Sequence, residues 1–179
     1  MLVSDYYAAY DCYGGYHQRC WAHLLRDISD LVKVYPEDEQ LREWADGVGK
    51  LYHKGKLYSG LETPGRKLEA RRYLEREATL LCEAGLNNKD SPQHTLCKRI
   101  EKYLGELFVF VWEEGVPSDN NAAERDLRHL VTTRKISGGT RSRVGTETKP
   151  ALTTLYTTWA ARGLDPFQAC RQLLISPRV

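Results

Sequence analysis

Apolar side chains recur at intervals of three and four along most of this chain, the period of helices that bury one face. Trp21, Leu24, Leu25, Ile28, Leu31 and Val32 form the first stripe, and Leu41, Trp44, Val48 and Leu51 a briefer second one. Pro36 separates the two, and Gly47 and Gly49 weaken the second. The run from Arg66 to Glu83 is rich in helix formers, with Gly85 as its expected stop. Leu96, Ile100, Tyr103, Leu107 and Val111 make another strong stripe, ended near Gly115 and Pro117. A further helix is expected from about Asn121 to Arg134, followed by a Gly138-Gly139 loop. Leu152, Leu155, Tyr156 and Trp159 predict a late helix stopped by Gly163, and Pro166 opens the last one. Strand signals are scarce: Leu2-Val3, and the stretch His17 to Cys20. The pattern therefore predicts a mostly α fold, without internal repeats or low-complexity segments.

Bulk composition adds modest limits. A chain of 179 residues with 41% hydrophobic and 28% charged positions has the make-up of one globular domain, or of one domain with an insertion. The net charge of +2 identifies no partner, but its distribution is uneven. From Ser118 to Val179 there are ten Lys and Arg against five Asp and Glu, so this third carries +5 and the rest −3. The five cysteines, Cys12, Cys20, Cys82, Cys97 and Cys170, are scattered and odd in number, which argues against a disulfide framework and for reduced thiols in the cytoplasm. No apolar run approaches the roughly 18 residues of a membrane span, and no signal peptide is expected at Met1-Leu2-Val3.

Two carboxylates carry the chemical interest. Asp5 stands at the end of the Leu2-Val3 run, inside Ser4-Asp5-Tyr6-Tyr7-Ala8-Ala9-Tyr10. Glu124 opens an arginine-studded helix, Asn120-Asn121-Ala122-Ala123-Glu124-Arg125-Asp126-Leu127-Arg128. Isolated carboxylates on regular elements, with cations close by, suit a metal-dependent phosphoryl-transfer site on nucleic acid. Each also has a structural reading. Asn121 and Glu124 have the spacing of a capping box, Glu124 and Arg128 that of an i,i+4 pair, and Asp5 can cap the segment after it. Glu124 shares helical spacing with Leu127 and Val131, which places it beside the face expected to pack inward. Asp11 and Asp119 read as turn or cap residues. The stretch Arg134-Lys135-Ile136-Ser137-Gly138-Gly139-Thr140-Arg141-Ser142-Arg143-Val144-Gly145 reads either as a solvated basic loop or as a phosphate-binding one, since glycines allow close backbone approach and exposed cations suit phosphate oxygens. It lacks the Gly-Lys-Ser/Thr of a nucleotide-binding P-loop. Cys12, Cys20 and His23 have no clear fourth partner, so a zinc site is not expected.

Taken together, Ser4-Asp5-Tyr6-Tyr7-Ala8-Ala9-Tyr10, Gln18-Arg19-Cys20-Trp21-Ala22-His23-Leu24-Leu25-Arg26, Asn120-Asn121-Ala122-Ala123-Glu124-Arg125-Asp126-Leu127-Arg128, Arg134-Lys135 before the Gly138-Gly139 loop, and Gly163-Leu164-Asp165-Pro166 resemble the transposases of the insertion sequence sixty-six type. The resemblance implies a ribonuclease H-like α/β core in which two aspartates and a glutamate hold two divalent metals, Mg²⁺ or Mn²⁺, and cut and join DNA. It makes Asp5 the second aspartate and Glu124 the glutamate. No counterpart of the first aspartate, which lies on an earlier strand, is found here. The expected fold is thus a truncated ribonuclease H-like core with about two strands left. Residues 1-35 would belong to that core, 36-115 to a helical insertion, and 116-179 to a return to the core. The expected function is that of a fragment of a DNA transposase of the D-D-E type, inactive alone. The alternative is a non-catalytic helical DNA-binding or protein-interaction module derived from one. Asp5 and Glu124 are the expected catalytic and metal-binding residues, lying within about 10 Å of each other as two-metal sites require. Arg125, Arg128, Arg134, Lys135, Arg141 and Arg143 are the expected DNA contacts. The expected partners are transposon-end DNA and a second copy of the chain, because lost strands would leave sheet edges and apolar helix faces open.

Overall fold

The computed structural model describes residues 1–175. Two compact units are present, Met1–Asn121 and a second from Ala122 on.

The first unit is built on two short parallel strands, β1 (Leu2–Ser4) and β2 (His17–Arg19), paired Leu2 to His17, Val3 to Gln18 and Ser4 to Arg19. Both expected strand segments are therefore present. Between them the chain passes through a 3-10 turn, Ala8–Tyr10. Helix α1 (Trp21–Val34) follows β2 directly and buries Trp21, Leu24 and Ile28, the stripe read from the sequence. Helix α2 (Glu39–Tyr58) starts at Asp38, whose side chain accepts the Leu41 N–H at 2.9 Å, a good N-cap. It buries Leu41, Trp44, Val48 and Leu51.

Helix α3 (Pro64–Asn87) is longer than the sequence suggests, because Gly85 lies inside it rather than ending it. A Cβ at Gly85 would come within 2.7 Å of the Cys97 thiol, so this glycine serves the close packing of α3 on the next helix. The stripe from Leu96 to Val111 is not one helix but three pieces: α4 (His94–Lys102), α5 (Leu104–Leu107) and α6 (Val109–Trp112). The interruption at Phe108 is supplied with hydrogen bonds from β2. The buried Gln18 side chain donates from Nε2 to the Leu107 carbonyl at 3.0 Å and accepts the Phe110 N–H on Oε1 at 2.9 Å. Trp21 Nε1 donates to the same Leu107 carbonyl at 2.6 Å. Backbone groups freed by the break thus find partners, which a buried break requires. The core gathers Trp21, Leu24, Leu41, Leu74, Leu107 and Phe108 with their neighbours from all these helices.

In the second unit α7 (Asn121–Ser137) and α8 (Arg143–Ala161) are joined by a short glycine loop, and α9 (Pro166–Ile175) packs on α8. Helix α8 begins well before Leu152 and carries Pro150 within it. Its N-cap is Ser142, whose Oγ accepts the Gly145 N–H at 3.0 Å. Gly163 ends it with φ +71°, and Asp165 caps α9 by accepting the Phe167 and Gln168 N–H groups. None of these three helices buries a side chain fully. Among the described residues no helix is long and apolar enough to cross a membrane.

Candidate functional site

Asp5 follows the last residue of β1, where the strand gives way to the tyrosine-rich connection. Its Oδ1 accepts the Tyr7 N–H at 3.0 Å, the local cap that its position allows. Its backbone carbonyl is held by Ser4 Oγ at 2.9 Å and by Arg19 Nη1 at 3.0 Å. Arg19 is the centre of this region. Its side chain is fully buried, and its other two donors reach Glu106 Oε2 at 2.7 Å and Asp11 Oδ1 at 2.6 Å. The guanidinium also lies 4.2 Å from the centre of the Tyr103 ring. Each of the three guanidinium nitrogens thus donates one hydrogen bond, as a buried arginine needs.

Asp11 is therefore more than a turn residue. It accepts from Lys102 Nζ at 2.8 Å and from the Tyr103 hydroxyl at 3.1 Å as well as from Arg19. Lys102 foremost, with Arg19 and Tyr103, holds its carboxyl down at about 2 against the opposing effect of desolvation. His17, buried on β2, lies 2.7 Å from Ser4 Oγ through Nε2 and 3.1 Å from Glu106 Oε2 through Nδ1. Desolvation, then the Arg19 charge, pulls its pKa below the usual 6.5 in spite of Glu106 and Asp11. Three consecutive polar residues, His17, Gln18 and Arg19, are thus all buried and all spent on holding the strand pair to the helices. Their burial was not evident from sequence, which shows them only as a polar strand.

The six expected DNA contacts all fall in the second unit. Arg125, Arg128, Arg134 and Lys135 stand on α7, Arg141 in the loop and Arg143 at the start of α8, every one of them exposed. Arg143 pairs with Glu147 at 3.0 Å, one turn along an exposed helix face. Arg125, Arg128, Arg134, Lys135 and Arg141 form no ion pair with a described residue. Gly138 and Gly139 have φ of +66° and +95°, and the Gly139 N–H returns to the Arg134 carbonyl at 3.1 Å, which ends α7 in a left-handed turn. The loop, the last turn of α7 and the first turns of α8 enclose a cleft of about 510 Å³. Leu130, Arg134, Thr140, Thr146, Lys149 and Pro150 are among its walls. Lys149 was missed in the sequence because it lies beyond the glycine loop and beside a proline, where no helix was expected so early.

Glu124 is half-buried in the first turn of α7, whose leading N–H, that of Asn121, is accepted by Asp119 Oδ1 at 3.1 Å. The face it was expected to border does not pack inward within this unit: Leu127 and Val131 are both more than half exposed. Asp5 belongs to the first unit and Glu124 to the second. Among the described residues no three His, Cys, Asp or Glu side chains gather closely enough to hold a metal ion. Asp5 brings one carboxylate with an oxygen already engaged, and the carboxylates around Arg19 are paired with cations. This donor set does not build a divalent-metal site by itself.

Comparison with known proteins agrees with the sequence motifs. The transposase IS66 family matches residues 1–148. The uncharacterized protein y4jO of Sinorhizobium fredii is 30% identical over 152 residues, which is 84% of this chain and 46% of that protein. The chain thus spans less than half the length of this relative. No solved structure matches.

Proposed function

The chain belongs to the transposase IS66 family, and on that premise we propose that it is the DNA-binding, glutamate-bearing part of a D-D-E transposase catalytic domain. Its partner in this reading is DNA at transposon ends. The second unit grips the sugar–phosphate backbone through Arg125, Arg128, Arg134, Lys135, Arg141 and Arg143, joined by Lys149 across the glycine loop. The observation that carries the reading is the set of exposed cations, Arg125, Arg128, Arg134, Lys135 and Arg141, that have no carboxylate partner among the described residues, in a unit that also holds a concave, glycine-lined loop. Such groups have nothing to do in the isolated chain and suit phosphate oxygens.

Asp5 and Glu124 are assigned as two of the acidic residues of a ribonuclease H-like site that uses Mg²⁺ or Mn²⁺. The chain's own described donors do not complete that site. Non-catalytic DNA binding is the second reading, favoured by the engagement of Asp5 Oδ1 with the Tyr7 N–H and of Asp11 and Glu106 with Arg19. The apolar side chains left open on α7 to α9, Leu127, Val131 and Val144 among them, support self-association of the chain. A DNA-processing role also places it in the cytoplasm of the cell that carries the element.

Incubation with DNA bearing the element's ends, in Mg²⁺ or Mn²⁺, tests both parts. The expected result is salt-sensitive binding without strand cleavage, unaltered by Glu124→Gln. Cleavage that Glu124→Gln abolishes would show that the chain is a competent enzyme. No DNA binding even at low salt would overturn the nucleic-acid reading altogether.

A further inference from the structure

We propose that the cleft bounded by Tyr13, Tyr16 and Trp112 in the first unit binds an unpaired nucleobase, giving the chain a single-strand site separate from the basic loop. The inference rests on the reading that the partner is DNA. Its starting point is a row of tyrosines, Tyr7, Tyr10, Tyr13 and Tyr16, spaced by three along the connection from β1 to β2. All four are exposed, Tyr7 at 65% and Tyr16 at 59%. Large aromatic side chains are costly to leave in water, and here they come from one tightly tied segment. Backbone hydrogen bonds Tyr10 to Tyr7, Tyr13 to Tyr10 and Leu2 to Tyr16 hold it in shape. The rings are thus presented by a preformed surface, which lowers the ordering cost of binding.

At its far end this row becomes a cleft of about 330 Å³. Tyr16 meets Trp112 edge to face, with ring centres 5.0 Å apart and planes at 89°. The Arg71 guanidinium lies 5.2 Å from the centre of the Trp112 ring, and Glu106, His17 and Gly105 complete the walls. The Trp112 indole N–H is buried without a hydrogen-bond partner, so the ring contributes its apolar surface to the cleft. Aromatic walls with a few fixed donors and acceptors match the two aspects of a nucleobase, its π-face and its polar edge. A duplex hides the π-face and the Watson–Crick part of that edge. Glu106 would repel a phosphate placed beside it, but it is already paired with Arg19 and can accept from a base N–H, such as the ring N3–H of thymine. Through Arg19 the same carboxylate is one side chain away from the Asp5 carbonyl, so a base seated here lies beside the candidate catalytic strand end.

Fluorescence anisotropy with the full chain, comparing a labelled thymidine oligonucleotide and a duplex of equal length at one ionic strength, tests the proposal. Tyr13→Ala and Tyr16→Ala are each expected to weaken single-strand binding by roughly 5- to 100-fold, the effect of losing one base–aromatic stack, and to change duplex binding less than two-fold. Tyr16→Phe keeps the ring and should bind like the parent chain. Arg134→Ala/Lys135→Ala, in the other unit, should weaken duplex binding while leaving the tyrosine effect in place. Tyrosine variants that bind the single strand as tightly as the parent, or that lose duplex binding equally, overturn the cleft and leave the basic loop standing. Duplex binding that ignores Arg134 and Lys135, beside tyrosine-dependent single-strand binding, overturns the loop instead. No binding to either DNA overturns both. Circular dichroism checks each variant, and Tyr16 is exposed enough for alanine to leave the fold intact.

Discussion

Replacing Arg19 with methionine should destabilise the first unit by about 3 kcal/mol, near the low end of the 3–5 kcal/mol range for breaking a buried ion pair. The guanidinium is fully buried and makes three hydrogen bonds, two of them to carboxylates. Hydrogen bonds to charged groups are worth about 1.5–3 kcal/mol each. The full sum is not expected, because Asp11 and Glu106 each remain about a third exposed, at 32% and 35%, and water can solvate them once Arg19 is gone. Methionine also refills part of the volume and keeps a contact with the Tyr103 ring. Lysine supplies one compact ammonium in place of a fork, so Arg19→Lys should recover about 1 kcal/mol at most. Urea unfolding followed by tryptophan fluorescence is the assay. It is best done in a Trp159→Phe background, which leaves Trp21, Trp44 and Trp112, all in the first unit, as reporters. With an m-value of about 2 kcal/mol/M the midpoint should fall by roughly 1.5 M. A midpoint within about 0.3 M of the parent chain, at equal m, would refute the view that Arg19 holds the Asp5 segment to the helices.

DNA affinity should fall steeply with salt, by about 0.9 log units per log unit of salt for each phosphate neutralised on duplex DNA; Arg134→Ala/Lys135→Ala/Arg141→Ala should lower that slope by about 2 to 3, and an affinity that stays flat up to physiological salt would contradict the interface. Light scattering at micromolar concentration should report a homo-oligomer, most simply a dimer; a clean mass of one chain, 20.5 kDa, would count against self-association through the open faces of α7 to α9. Because His17 titrates below 6.5 in the folded chain, the unfolded chain takes up its proton first as pH falls. His17 therefore stabilises the fold above pH 6.5 and loses that effect below it. Melting temperatures should drop from pH 7.5 to 5.5 more in the parent than in His17→Gln, and parallel curves would rule this out. Asp11 acts in a lower window: its contribution is present above 3.8 and disappears as pH falls towards about 2, so Asp11→Asn should flatten only the acid limb.

Much of the helical layout could be read locally. The stripe of α1, the stop at Gly163 and the start at Pro166 depend on neighbours in the chain, and they stand where the pattern puts them. The interruption at Phe108 could not be read in this way. The chain breaks between α5 and α6 where Gln18 and Trp21, some ninety positions earlier, take the Leu107 carbonyl and the Phe110 N–H. Gly85 misleads for a similar reason: its missing side chain answers to Cys97, not to its own helix end. The basic residues of the second unit were legible because exposure is the default for Arg and Lys, and nothing nearby contradicts it. The surroundings of Glu124 were not, since helical spacing from Leu127 and Val131 says which residues share a face and not whether that face is covered.

The reach of Gln18 has a consequence for how the chain acquires its shape. Strand β2 is only three residues long, and the amide that anchors it binds groups 89 and 92 positions further along. Until α5 and α6 have arrived, those bonds cannot form, and an early strand pair would carry a polar residue with nowhere to place its hydrogen bonds. The strand and the helices from α2 to α6 therefore form one cooperative folding unit. Its rate should be set by closing a loop of about ninety residues, a long-range contact that slows folding relative to helices of local order. On a ribosome, β1 and β2 would wait for α5 and α6 before settling. Excising residues 36–115 would leave no smaller version of the strand pair, because the groups that Gln18 and Trp21 bind on α5 and α6, and the Glu106 partner of Arg19, would go with them.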